Sequence, residues 1–132
     1  MNRLTIIAVT MNAIVFALLI PVLELNSSHL TNPLWPSHAR LHEAWQLLTN
    51  AAIAILALRL AFSRQDAWIA IGLCLITEVS FLIAWATSSS YGGSMLHSDG
   101  TQMAIAGVNV AVVVVAALTS LLVVSAFREK AK

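Results

Sequence analysis

Ala67-Trp-Ile-Ala-Ile-Gly-Leu-Cys-Leu-Ile-Thr-Glu-Val-Ser-Phe-Leu-Ile-Ala-Trp-Ala-Thr87 carries one charged side chain, Glu78, in an otherwise apolar run. A helix needs about 20 mostly apolar residues to cross roughly 30 Å of hydrocarbon. Trp68 and Trp85 bracket the run, as interfacial aromatic anchors do. The same reading applies to Leu4–Leu25, Ala44–Phe62 and Met103–Phe127. None of the four alternates with period two, and a lone strand in lipid would leave its backbone unpaired, so helices are expected rather than a barrel. The expected fold is all-α: one domain over residues 1–132, a polytopic bundle of four transmembrane helices.

Composition agrees. The chain is 59% hydrophobic and 10% charged, with a mean hydropathy of +0.85. A soluble domain carries about 25% charged residues, and a disordered chain is more polar still. Cys74 is the one cysteine, which excludes an internal disulfide. A net charge of +1 lacks the basic stripe that nucleic acid requires, so no such partner is expected. The first span is longer than a signal-peptide core and no A-x-A site follows it, so it reads as a retained helix.

Basic residues set the orientation. Arg3, Arg59, Arg64, Arg128, Lys130 and Lys132 fall on one side of a four-span arrangement, and Arg40 alone falls on the other. Both termini are therefore expected in the cytoplasm, with loops 26–43 and 88–102 outside the cell membrane.

Chemistry concentrates on the outer side. His29, His38, His42 and His97 all lie there, three of them in Asn26–Gln46. Pro33 and Pro36 impose an extended entry, and Ser37 suits an N-cap with His38 opening the second helix. Helical spacing places His38, His42, Gln46 and Thr49 on one face, flanked by Glu43 and Asn50. A polar stripe entering the membrane is expected to face the bundle interior. Glu78 lies near mid-bilayer, where an ionisable group marks a functional site or interhelical glue. Asn109 and Gln102 align in the fourth span, Thr5 and Asn12 in the first, and Asp99 with Gln102 reads as a capping box.

These placements suggest one outward-opening cavity. Its rim would be Glu24, His29, His38 and His97, its wall His42, Glu43, Gln46 and Asn50, and its floor Glu78 and Asn109, with Trp35 and Arg40 also counted among the pocket residues. His38, His42, Glu43 and Glu78 are the candidates for acid–base catalysis. His38 and His42 have the i, i+4 spacing of helical metal ligands but lack the acidic partner of H-E-x-x-H. No metal is favoured on that basis, and no other cofactor is evident.

The run Asn32-Pro-Leu-Trp-Pro-Ser-His-Ala-Arg-Leu-His42 resembles an N-P-x-W-P-x-H-A-R-x-H loop of small four-span bacterial membrane proteins, loosely DoxX-like. The resemblance implies the span count and marks His38, Arg40 and His42 as a family-type feature; it brings no activity. Small multidrug transporters share four short spans and a membrane glutamate, but theirs lies in the first span and Glu78 in the third. Three functions follow in order: an outward pocket that binds, and in one form transforms, a small or lipid-like molecule; an accessory subunit of a larger membrane complex; and a proton-coupled exporter working as a homodimer, with Glu78 as its proton and substrate site.

Overall fold

A computed structural model describes residues 1–97 and 99–131. Four long helices dominate it: α1 (Arg3–Glu24), α2 (Ser37–Ser63), α3 (Ala67–Ala86) and α4 (Val110–Lys130), each long and apolar enough to cross a membrane. Each helix packs on its neighbour in sequence, α1 closes the ring against α4, and α1 also touches α3 across the diagonal.

Local chemistry sets the ends. Asn2 caps α1 by accepting from the Thr5 N–H at 2.9 Å. Within α1, Val15–Leu19 forms a π turn, closed by the Ile20 N–H on the Val15 carbonyl. Pro21 explains it: with no N–H to donate and a ring that crowds the preceding turn, proline loosens the ladder ahead of it. At the other end of the bundle Pro36 leads into α2, and Ser37 is already helical instead of capping it. Arg64, left-handed at φ 53°, ends α2, with the Gln65 N–H closing on the Leu60 carbonyl at 3.3 Å. Asp66 then caps α3, accepting from Trp68 and Ile69 N–H at 2.9 and 3.0 Å.

The fourth helix starts later than its hydropathy indicates. Residues 104–109 form a two-stranded hairpin, β1 (Ala104–Ile105) and β2 (Val108–Asn109), with Ile105 opposite Val108. Ala106 and Gly107 turn it with φ of 50° and 82°, a left-handed pair that glycine tolerates and alanine pays for in strain. Asn109, not Asp99, caps α4, accepting from the Ala111 N–H at 2.9 Å. Asp99 instead closes a local turn through the Thr101 N–H and hydroxyl.

The interior is built from small side chains. Ala8, Ala57, Ala61, Ala70 and Cys74 are sealed together, and Ala54 packs with Phe16 and Val115 in a second cluster. Small residues let backbones approach closely, which is how helices gain dispersion contacts where burial from water supplies little. The outer surface is apolar: Leu18, Leu48, Ile76 and Phe127 are each more than half exposed. At one end Glu129 accepts from the Asn2 N–H and from the Thr5 hydroxyl at 2.9 Å, tying α1 to α4. Both chain ends and the Arg64 turn therefore share that end, and the two long loops share the other.

Candidate functional site

The loop end gathers Glu24, His29, Trp35 and His97. Glu24 closes α1, and the chain turns back because its carbonyl accepts from the N–H groups of Asn26 and Leu30 at 2.9 and 3.1 Å. This turn brings His29 Nε2 to 3.3 Å from the Glu24 carboxylate, with both side chains about a quarter exposed. The other ring nitrogen, Nδ1, lies 2.8 Å from the Ser28 hydroxyl. Edge contacts from Trp35 at 6.1 Å and His97 at 5.3 Å hold the imidazole in place. His97 comes from the second long loop, so the cluster joins both loops. It and the Glu43 carboxylate lie within electrostatic reach of Glu24. Two carboxylates and two imidazoles thus share one mouth, suited to exchanging a proton and to holding an amine or hydroxyl donor.

Beside this mouth runs an apolar groove of about 390 Å³ between α1 and α2. Ala17, Pro21 and Leu25 form one wall, Leu47, Leu48 and Ala51 the other, with Leu30 and Ala44 toward the loop. Ala44 directly follows Glu43, and Leu25 directly follows Glu24, so the groove begins where the carboxylates end.

The other expected residues lie elsewhere. His38 and His42 are exposed, their Nε2 atoms 3.0 Å apart, and Trp45 lies 5.9 Å from the His42 ring. Trp45, Gln46 and Thr49 are exposed, and with His42 and the half-buried Asn50 they line a shallow depression of about 300 Å³ along the outside of α2. Arg40 is half-buried at the start of that helix. The polar stripe therefore does not face the bundle interior, contrary to expectation. Leu47, Ala54, Ala57 and Ala61 take the inner face of α2, where the three alanines permit close approach of α1 and α3.

Glu78 does face inward, fully buried, but it is not the floor of an outer cavity. Its Oε1 accepts from the Asn12 side-chain amide at 2.9 Å, across the diagonal from α3 to α1. Thr119 of α4 faces the same carboxyl. Asn109, expected beside Glu78, stays at the loop end, where its amide donates to the Met95 carbonyl and to Gln102 Oε1, each at 3.4 Å. Its capping role leaves it half-buried at the start of α4, ten residues before the Thr119 that faces the carboxyl. The expected single cavity is thus two separate places, a loop-end mouth with its groove and a sealed polar pair in the core. Sequence reasoning aligned Asn12 with Thr5 but did not pair it with Glu78, although it is the one amide deep in α1, as Glu78 is the one carboxyl deep in α3.

Among the described residues no group of three or more His, Cys, Asp or Glu side chains is placed to hold a metal ion. Comparison with known protein families, curated proteins and solved structures finds no match.

Proposed function

We propose that this chain is a four-span protein of a bacterial inner membrane that binds a single-chain, lipid-like amphiphile at its loop end. The hydrocarbon chain lies in the groove between α1 and α2, and the polar end is held by Glu24, His29, Glu43 and His97. The observation that carries this reading is the adjacency of an almost wholly apolar groove to a mouth of carboxylates and imidazoles. A groove opening sideways onto an apolar surface admits a chain directly from the bilayer, and polar groups at its end select the headgroup. Two carboxylates favour a headgroup that donates hydrogen bonds, such as an amine. His29, held between Ser28 and Glu24, is the group to move a proton if the ligand is transformed. His38 and His42 would sit at the membrane surface: α2 has 27 residues, about 40 Å at 1.5 Å each, and so outruns the hydrocarbon by roughly two turns. The excess of basic residues at the opposite end supports placing this mouth outside the cell.

The test is mass spectrometry of the purified protein under native conditions, with Ala51→Phe to fill the groove. A bound amphiphile on the unaltered chain, lost in the folded variant, is expected. Equal retention by both would remove the groove from the account.

A second reading draws on Gln46 and Thr49, which are polar and exposed on the flank of α2. Such groups gain from covering by another chain, which favours an interface with a second copy or a larger membrane complex.

A further inference from the structure

The pair in the core has a shortage of hydrogens. Asn12 and Glu78 are both fully buried, and one hydrogen bond joins them, from the Asn12 amide to Glu78 Oε1 at 2.9 Å. The two remaining oxygens, Asn12 Oδ1 and Glu78 Oε2, accept from no donor among the described residues. Leaving two acceptors bare in an apolar interior is costly, and native structures rarely do so. The nearby hydroxyls are committed: Thr119 donates to the Val115 carbonyl at 2.9 Å and Thr77 to the Cys74 carbonyl at 2.9 Å. Should Thr119 turn to Glu78 Oε2, Asn12 Oδ1 would still lack a donor. One hydrogen on the carboxyl serves both atoms. A carboxylic acid and a primary amide pair through two parallel hydrogen bonds, N–H to O and O–H to O. The first is present, and the second joins the two atoms that lack partners.

We propose that Asn12 and Glu78 form a proton-binding site at the centre of the bundle, distinct from the loop-end mouth, in which the bound proton sits on Glu78 and bridges to the Asn12 carbonyl oxygen. Binding takes one proton from water and makes a second link between α1 and α3. Release leaves a carboxylate held by a single amide donor. The groups bearing on the carboxyl are Asn12 of α1, Thr119 of α4 and, on α3 itself, the buried Cys74. No Lys, Arg or His of α1, α2 or α4 is among the described groups acting on it, so no fixed cation stands in for the proton. The π turn at Val15–Leu19 begins one turn beyond Asn12, which places the bridge beside the least regular part of α1.

Dicyclohexylcarbodiimide tests this in the full-length protein, in vesicles, because this apolar reagent attacks protonated carboxyls within membranes. Peptide mass mapping is expected to find the adduct on Glu78, declining as pH is raised, indifferent to sodium at constant pH, and lost in Glu78→Gln. That variant keeps a complementary pair with Asn12, amide to amide, and is expected to stay folded. Protection of Glu78 by sodium would overturn the proposal in favour of a metal-cation site. Isotope-edited infrared spectroscopy of the unaltered protein provides an independent reading. An acid C=O band for the buried glutamate is expected, and a carboxylate band alone throughout the folded pH range would also overturn it.

Discussion

The Glu24 carboxylate and the His29 imidazole meet at 3.3 Å, closing the turn that carries the chain from α1 into the first long loop. Each side chain keeps about a quarter of its surface exposed, so either group left without the other can still be hydrated. Glu24→Gln is therefore expected to shift the unfolding midpoint in detergent only slightly while lowering retention of the bound amphiphile. A large loss of stability with unchanged retention would assign the pair a structural role instead.

Asn12 and Glu78 should behave in the opposite way. Asn12→Leu leaves the carboxyl without its donor, at a cost of about 1–3 kcal/mol for the orphaned group. Replacing both residues by leucine removes the polar problem, and the double variant is expected to recover part of that loss. Denaturant titrations of the two single variants and the double variant give the coupling directly; strict additivity would mean that the two side chains do not interact.

Much of the architecture was readable from hydropathy alone, since four runs of apolar residues announce four helices wherever they pack. Helix boundaries were less readable where an apolar segment turns. Met103–Asn109 is as apolar as a span, yet the left-handed pair Ala106 and Gly107 makes it a hairpin. The facing of α2 was also hidden. Polarity put His42 and Gln46 inside, whereas the small side chains Ala54, Ala57 and Ala61 took that place because packing within a bundle rewards close approach more than it rewards burying a polar stripe near the interface. The Asn12–Glu78 contact could have been found by matching the deep polar side chain of each span with others at similar depth.

Close approach has a second consequence. Ala57 and Ala61 are fully buried against neighbouring helices, so Ala57→Leu inserts bulk where none fits. Overpacking of this kind costs about 1–3 kcal/mol. A thermal midpoint well below that of the unaltered chain is expected, and an unchanged midpoint would show that the helices are not closely packed there.

The Asp99 turn carries a pH dependence of its own. Hydrogen bonds from the Thr101 hydroxyl and N–H hold the Asp99 carboxyl below the ordinary aspartate value of 3.8. A lowered folded value means that the turn gains order from the carboxylate above the ordinary aspartate range and loses it as pH falls through the lowered value. Protection of the Thr101 amide, measured against its intrinsic exchange rate, is expected to fall in acid and to be low at every pH in Asp99→Ala.

Sidedness can be read by labelling. In a Cys74→Ser background, an impermeant thiol reagent added outside cells is expected to modify Ser94→Cys in the second long loop and to spare Ser63→Cys at the Arg64 turn. The reverse pattern would place the Glu24–His29 mouth in the cytoplasm.

The groove itself is reached most directly by photo-crosslinking in a bilayer of mixed lipids. Benzoylphenylalanine in place of Leu48 sits in the groove wall, and the same probe in place of Val123 sits on the exposed face of α4. Mass analysis of the adducts is expected to show one class of single-chain amphiphile enriched at position 48 and reduced by Glu24→Gln, against the bulk lipid mixture at position 123. The same bulk mixture at both positions would contradict a ligand site between α1 and α2.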